Sequence, residues 1–227
     1  MSFYKETVGY IIHQRNFKDT SLIIEFFSQD QGMIHLIAKG IKKNKKLKSQ
    51  IQSFCLLKIQ YFGRSQLKTI SQINILENFL QNGLIEITAG QYLNELIHYS
   101  LTENDNAESL FACYKNVLSK LGQCKLTPLL RLFEKELLKY NGFELNVDTF
   151  TEQDNWLTID EQLGLIETNV DSQKICKVSD LKIFLNGGTL DFRSQKRLNK
   201  FMLRTIDMSL SYRKIYSREL LRSIMAK

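Results

Sequence analysis

With 227 residues and 43% hydrophobic composition, the chain has enough material for one large or two modest domains with a full core. Its formal net charge of +7 conceals a segregation. Residues 1–70 carry twelve Lys/Arg against four Asp/Glu, residues 71–189 nine against seventeen, and residues 190–227 ten against three. Two basic ends therefore flank an acidic middle, which suggests a surface for polyanions and a second region with a different task. No apolar run nears the ~18 residues that span a bilayer. The opening Met-Ser-Phe-Tyr-Lys-Glu is not a signal peptide. Cys55, Cys113, Cys124 and Cys176 are scattered, with no Cys-x-x-Cys pair. A cytoplasmic protein with reduced thiols and no membrane association is expected.

The first eighty residues read as five short strands, at 8–14, 20–28, 33–38, 54–62 and 68–76, rich in Ile, Phe, Leu, Tyr and Thr. Turn signals separate them: Asn16-Phe17-Lys18-Asp19, Ser28-Gln29-Asp30-Gln31-Gly32, a lysine run, and Gly63-Arg64-Ser65. Five strands in about seventy-five residues predict a small barrel such as an OB-fold. The lysine run, Lys39-Gly-Ile-Lys-Lys-Asn-Lys-Lys-Leu-Lys48, holds six lysines and no acid, and is expected as a loop between two strands.

Beyond residue 80 the hydrophobic period lengthens to that of helices. Thr88 with Gln91, and Asp105 with Glu108, read as capping boxes. Thr127 before Pro128, the only proline, marks a third helix start, which runs to Asn141-Gly142. Residues 143–178 lose this period, and Trp156 to Ile166 reads as a small hairpin inserted among helices. Helical pattern returns at 179–185, 196–210 and 217–225. The expected class is α+β: a five-stranded OB-fold barrel over residues 1–80, then a mainly α-helical domain over 81–227 carrying an irregular or hairpin insertion at 143–178.

Enzymatic signatures are weak. His13, His35 and His98 have no local partner arrangement for a triad or a metal, and no G-x-S-x-G or H-E-x-x-H occurs. No catalytic residue, cofactor or metal ligand is assigned. Single-stranded nucleic-acid binding needs cations that track phosphates and aromatic faces that stack on bases. The barrel region offers Arg15, Lys39, Lys42, Lys43, Lys45, Lys46, Lys48, Arg64 and Lys68 for the first role, and Phe17, Tyr61 and Phe62 for the second. One of Tyr61 and Phe62 must face the core, and Tyr61 is expected outside because its hydroxyl tolerates water. Lys196, Lys200 and Arg204 form a second cationic stripe at i, i+4 spacing. An RNA-binding OB protein, or an enzyme whose site is assembled across domains around His13 or His98, stand as alternatives.

An ordered set of segments resembles the bacterial recombination mediator and repair family RecO. These are Asp19-Thr-Ser-Leu22, Gly32, Ala38-Lys-Gly40, Gly63-Arg-Ser-Gln-Leu-Lys-Thr69, Tyr92-Leu-Asn-Glu-Leu96, Leu130-Arg-Leu-Phe-Glu134, Asn141-Gly-Phe143 and Ser217-Arg-Glu-Leu-Leu221. The resemblance implies a non-enzymatic, nucleoid-associated protein with an OB-fold and a helical domain. Such a protein binds single- and double-stranded DNA, anneals strands coated with single-stranded DNA-binding protein, and works with RecR to help load RecA. Many relatives carry a four-cysteine zinc module after the glycine-aromatic segment. Residues 145–152 here lack cysteine, so the resemblance is to a zinc-free branch in which the 156–166 hairpin is a remnant of the module. The family also binds the acidic, phenylalanine-ended tail of single-stranded DNA-binding protein through its helical domain. The resemblance points to Arg131, then Lys135 and Lys139, as the cations that would meet the tail's terminal carboxylate.

Overall fold

The computed structural model of the chain describes residues 4–41, 44–79, 83–103, 105–150, 152 and 154–226. Five strands form a closed barrel: β1 (Lys5–Phe17), β2 (Ser21–Ser28), β3 (Gly32–Ala38), β4 (Cys55–Phe62) and β5 (Leu67–Asn78), in the order β1-β2-β3-β5-β4 with β1 also paired to β4. All neighbours are antiparallel except β3 and β5, which run parallel from His35 opposite Leu67 to Ile37 opposite Thr69. This is the OB-like barrel expected from the strand spacing.

Strand alternation fills the barrel. Ile24 and Phe26 of β2, Ile34, Leu36 and Ala38 of β3, and Cys55, Leu57, Ile59 and Tyr61 of β4 share one buried cluster. Each large side chain removed from water in this way contributes roughly 1.5–3 kcal/mol. Gly9 of β1 is required by close approach, because a Cβ there would lie 2.0 Å from the Phe27 carbonyl oxygen.

The lysine run is not a simple loop. Its described part contains a short helix, α1 (Lys45–Gln50), capped by the Asn44 side chain, which accepts from the Leu47 amide at 3.0 Å. Ile41 and Ile51 belong to the barrel core and Leu47 packs against it. Three apolar anchors at six- and four-residue spacing thus close the barrel and hold the lysines outward, a pattern that the density of charge hides. Lys42 and Lys43 lie outside the described residues.

The change of period at residue 80 is not a gap in packing. The chain forms two compact units, residues 1–133 with 215–227, and residues 134–214. In the first unit, α2 (Leu84–Ser100) and α3 (Glu108–Lys120) join the barrel. Tyr114 of α3 meets Tyr10 edge-on at 4.9 Å between ring centroids, and Phe111 meets Phe27 at 5.2 Å. One edge of α2 touches the barrel at three successive turns. Gly90 lies against the Phe54 ring, where a Cβ would sit 2.7 Å from a ring carbon. Asn94 donates to the Ile12 carbonyl at 3.2 Å. His98 meets Glu25. Thr88 is therefore interior to α2 rather than its cap, and its hydroxyl donates back to the Leu84 carbonyl at 2.7 Å. At α3 the helix starts after Ala107, and Asp105 accepts instead from Thr102.

The C-terminal helix α7 (Tyr216–Met225) also belongs to the first unit. Glu95 of α2 caps it, accepting from the Tyr216 amide at 3.0 Å and the Ser217 amide at 2.8 Å. A carboxylate at a helix start satisfies free amides and opposes the dipole.

Helix α4 (Leu126–Tyr140) leads into the second unit, ending at Gly142 with φ 83°. That unit holds the expected hairpin, β6 (Trp156–Asp160) with β7 (Gly164–Glu167), extended by a third strand, β8 (Cys176–Lys177), on the other side of β6. Against it lie α5 (Val178–Leu185) and α6 (Phe192–Ser209). Arg197 of α6 grips buried Asp180 of α5 through Nε at 2.6 Å and Nη2 at 2.9 Å. Burial pushes the Asp180 carboxyl up, but the hydrogen bonds from Arg197 and Ser194 outweigh it and hold the carboxyl below its ordinary value. No described helix is long and apolar enough to cross a membrane.

Candidate nucleic-acid interface

Register places one of the cations predicted to grip phosphate, Arg15, in a row that crosses the barrel, with three others within two residues of that row in sequence. Arg15 pairs with Ile23, Ile23 with Ile37, Ile37 with Thr69, and Thr69 with Phe62. This row crosses all five strands, on the order of 20 Å along the barrel wall at ~4.8 Å per strand. Its ends lie within two residues of the β1–β2 turn and the β4–β5 turn, the loops that flank the β2–β3 face of an OB-fold. Lys39 follows Ile37 by two residues, Lys68 precedes Thr69, and Arg64 follows Phe62 by two. Arg15, Lys39 and Arg64 are exposed and Lys68 is half-buried. Lys45, Lys46 and Lys48 are exposed on α1, which packs beside residues 71–74 of β5 and so stands apart from the row.

Among the described residues, no carboxylate pairs with Arg15, Lys39, Lys45, Lys46, Lys48, Arg64 or Lys68. Lys58, on the same barrel, is neutralised by Glu6 at 2.7 Å, and Lys115 of α3 by Glu77 at 2.5 Å. Unpaired surface cations keep their charge available to a polyanion, whereas paired ones must first give up a partner.

The aromatic assignment needs correction. Tyr61 is 1% exposed and belongs to the barrel core, so it offers no face to a base. Strand parity decides this: Cys55, Leu57, Ile59 and Tyr61 alternate inward while Lys58, Gln60 and Phe62 do not. The hydroxyl that was expected to keep Tyr61 in water instead donates to Gln31 Oε1 at 3.0 Å. Phe62 is the outward residue, edge-on to Tyr4 at 5.5 Å, and Tyr4 is 58% exposed. Tyr4 was missed because it precedes the first alternating run. Phe17 is half-buried, with the Lys18 ammonium 5.6 Å from its ring centre.

The second predicted set is split. Arg131 is buried, at 7% exposure. Lys135 and Lys139 line a cavity of about 680 Å³ in the second unit, together with Leu145, Val147, Lys182 and the acids Glu136, Glu144 and Asp148. Lys139 lies 3.6 Å from Glu144, and Lys182 donates to the Phe150 carbonyl at 2.8 Å. Lys196, Lys200 and Arg204 are exposed along α6.

The histidines find their partners on other elements, as the absence of local partners in the sequence allows. His13 and His35 stand opposite Glu25 in the β1–β2 and β2–β3 registers, and His98 reaches the same carboxylate from α2. His13 and His98, far apart in sequence, share one acid because register and helix docking, not local spacing, place them, while His35 is held by Glu103.

Two family models match the chain in order: "Recombination protein O N terminal" over residues 1–79 and "Recombination protein O C terminal" over residues 81–150. Curated relatives named DNA repair protein RecO include that of Nitrosospira multiformis, 36% identical over 142 residues, covering 62% of this chain and 59% of the relative. That of Ralstonia nicotianae is 33% identical, covering 62% of this chain and 52% of its own length. That of Salmonella schwarzengrund is 29% identical over 233 residues, 96% of this chain and 94% of the relative. The chain thus spans somewhat more than half of the Nitrosospira and Ralstonia proteins and nearly all of the Salmonella one. With a closed OB-like barrel under the first model and the two models in order, the chain belongs to the RecO family.

Proposed function

We propose that this chain is a DNA repair and recombination mediator of the RecF pathway, and not an enzyme. In this reading it binds single- and double-stranded DNA along the barrel row, anneals strands coated with single-stranded DNA-binding protein, and works with RecR to help load RecA at the nucleoid. The observation that carries the reading is a set of cations with no described acid partner, Arg15 in one register row of an OB-like barrel and Lys39, Arg64 and Lys68 within two residues of that row, with further lysines on the separate helix α1. The relatives' name, DNA repair protein, supports the same role.

The mechanism needs no bond chemistry. Two strands repel through their phosphates. A surface that neutralises both, and releases their condensed counterions, lowers the cost of bringing complementary bases together. Stacking on Tyr4 or Phe62 would add roughly 1–3 kcal/mol per base without sequence preference. For the acidic, phenylalanine-ended tail, the cavity lined by Lys135 and Lys139 sets cations beside apolar Leu145 and Val147, although Glu136, Glu144 and Asp148 line it too and Lys139 would first have to leave Glu144. The burial of Arg131 favours these two lysines as its first contacts.

A strand-annealing assay tests the reading. Complementary oligonucleotides are coated with single-stranded DNA-binding protein, intact or lacking its tail, with matched RNA strands in competition. The expected result is annealing of coated DNA that weakens when the tail is removed. Preference for RNA, or indifference to the tail, would overturn the mediator role.

A further inference from the structure

All three histidines of the chain lie around Glu25. A β-bulge between Ile11 and His13 resets the β1–β2 register so that His13 stands opposite Glu25. Bulges of this kind re-aim side chains at functional positions. The bulge also leaves the Ile12 carbonyl for Asn94, and that bond docks α2 on the barrel. His98, one turn beyond Asn94, is thereby delivered to Glu25 Oε2, with Nδ1 at 2.5 Å. Nδ1 of His13 lies 3.7 Å from Glu25 Oε1, and the two imidazole rings are 5.0 Å apart. One nitrogen from each histidine and a carboxylate oxygen all fall within 4.8 Å of one another. A cavity of about 530 Å³, lined by His13, Gln14, His98 and Tyr99 among others, opens onto the group. His35 sits on the other side of Glu25 and is held by Glu103 at 2.7 Å.

We propose that His13, Glu25 and His98 form a divalent transition-metal site, with Zn²⁺ the ion its donor set suits best. Two imidazole nitrogens and one carboxylate oxygen make a borderline-soft set that selects zinc, cobalt or nickel over magnesium and calcium, which require oxygen. Donor atoms of a tetrahedral zinc lie about 3.3 Å apart at the usual bond lengths, so rotations of side chains suffice to close the group around an ion. The cavity leaves a fourth position for water. The site is distinct from the four-cysteine module that the sequence lacks. It ties α2 to β1 and β2 one strand repeat from the Arg15 row, so an occupied site would brace the nucleic-acid face from beside it.

The test is calorimetric titration of the chelator-stripped 227-residue chain with ZnCl2, with MgCl2 as the comparison and CoCl2 read by visible absorption. One zinc per chain is expected, with an apparent Kd on the order of micromolar or tighter, negligible magnesium binding, and the intense visible bands of four-coordinate cobalt. His13→Gln and His98→Gln should each weaken zinc binding roughly tenfold or more, while His35→Gln leaves it unchanged. Zinc in excess should raise the melting temperature of the parent protein and not that of the His13→Gln variant. His13 is exposed, so its variant keeps the test alive if the His98 one fails to fold. Zinc binding that persists in both variants and disappears on alkylating the cysteines, magnesium binding as tight as zinc, or no saturable zinc binding at all would overturn the site.

Discussion

The lysines of α1 and the Arg197–Asp180 pair carry the same kinds of charge to opposite ends. Around α1, Lys45, Lys46 and Lys48 face solvent with no described carboxylate beside them, because the apolar positions Ile41, Leu47 and Ile51 are the ones that bury. In the second unit, Arg197 is clamped on Asp180, which is 2% exposed, and its guanidinium carbon also lies 5.8 Å from the centre of the Trp156 ring. A cation beside a buried acid is part of the architecture, and removing its partner strands a charge. A cation with no acid nearby contributes little to folding and keeps its field for a ligand. A tally of basic residues cannot separate the two uses.

The comparison breaks most visibly at Asp180. Asp180→Ala should destabilise the protein by about 3 kcal/mol, because the bidentate pair is mostly withdrawn from water. Urea denaturation checks this, and a loss as small as that of an exposed ion pair would mean Arg197 finds another partner. Acid sharpens the same point. Asp180 and Asp30 titrate below their ordinary value of 3.8, and Glu25 below 4.5. Burial raises all three, but hydrogen bonds from Arg197 and Ser194, from Ser28 and Thr7, and from His98 respectively more than reverse it. A carboxyl depressed in the fold stabilises above its unfolded pKa, and that stability is lost as pH falls through the folded pKa. Melting temperature should therefore hold above about pH 5 and drop steeply below about pH 4.

On the other side, replacing Lys39, Lys45, Lys46 and Lys48 together by alanine should weaken single-strand binding roughly tenfold or more at low salt. The slope of log affinity against log salt should flatten by about 2–3, at ~0.7 per lost phosphate contact. Melting should barely move. Fluorescence anisotropy over a salt series reads both quantities, and an unchanged slope would remove α1 and Lys39 from the interface. Tyr61→Phe should cost about 1 kcal/mol through the lost bond to Gln31 and leave DNA affinity within about twofold. The smallest effect is expected for Lys58→Ala, where Glu6 already neutralises the charge: stability should change by under about 0.5 kcal/mol and DNA affinity by less than about twofold.

Much of the barrel was legible because each strand alternates over a short run between turn residues. The 156–166 hairpin and the helices after 178 were legible for a similar reason. Helix starts were less so. Thr88 and Gln91 have the capping spacing, yet α2 begins four residues earlier at Leu84, since tertiary contacts of Gly90, Asn94 and His98 outweigh a local cap. Helix α1 stayed hidden because six lysines mask three apolar anchors. The segments Tyr92-Leu-Asn-Glu-Leu96 and Ser217-Arg-Glu-Leu-Leu221 each marked the family resemblance, but not that Glu95 caps the start of α7 by accepting from Ser217, 122 residues away.

By itself the sequence determined what depends on neighbours along the chain: the two hydrophobic periods, the turn positions, the basic ends and the family resemblance. Only the tertiary structure decided what depends on neighbours in space. It put Tyr61 inside, since parity along β4 is shared with three core residues. It separated free cations from paired ones, since their acids come from other elements. It drew His13 and His98 onto one glutamate, since register and helix docking are set by the burial of everything around them.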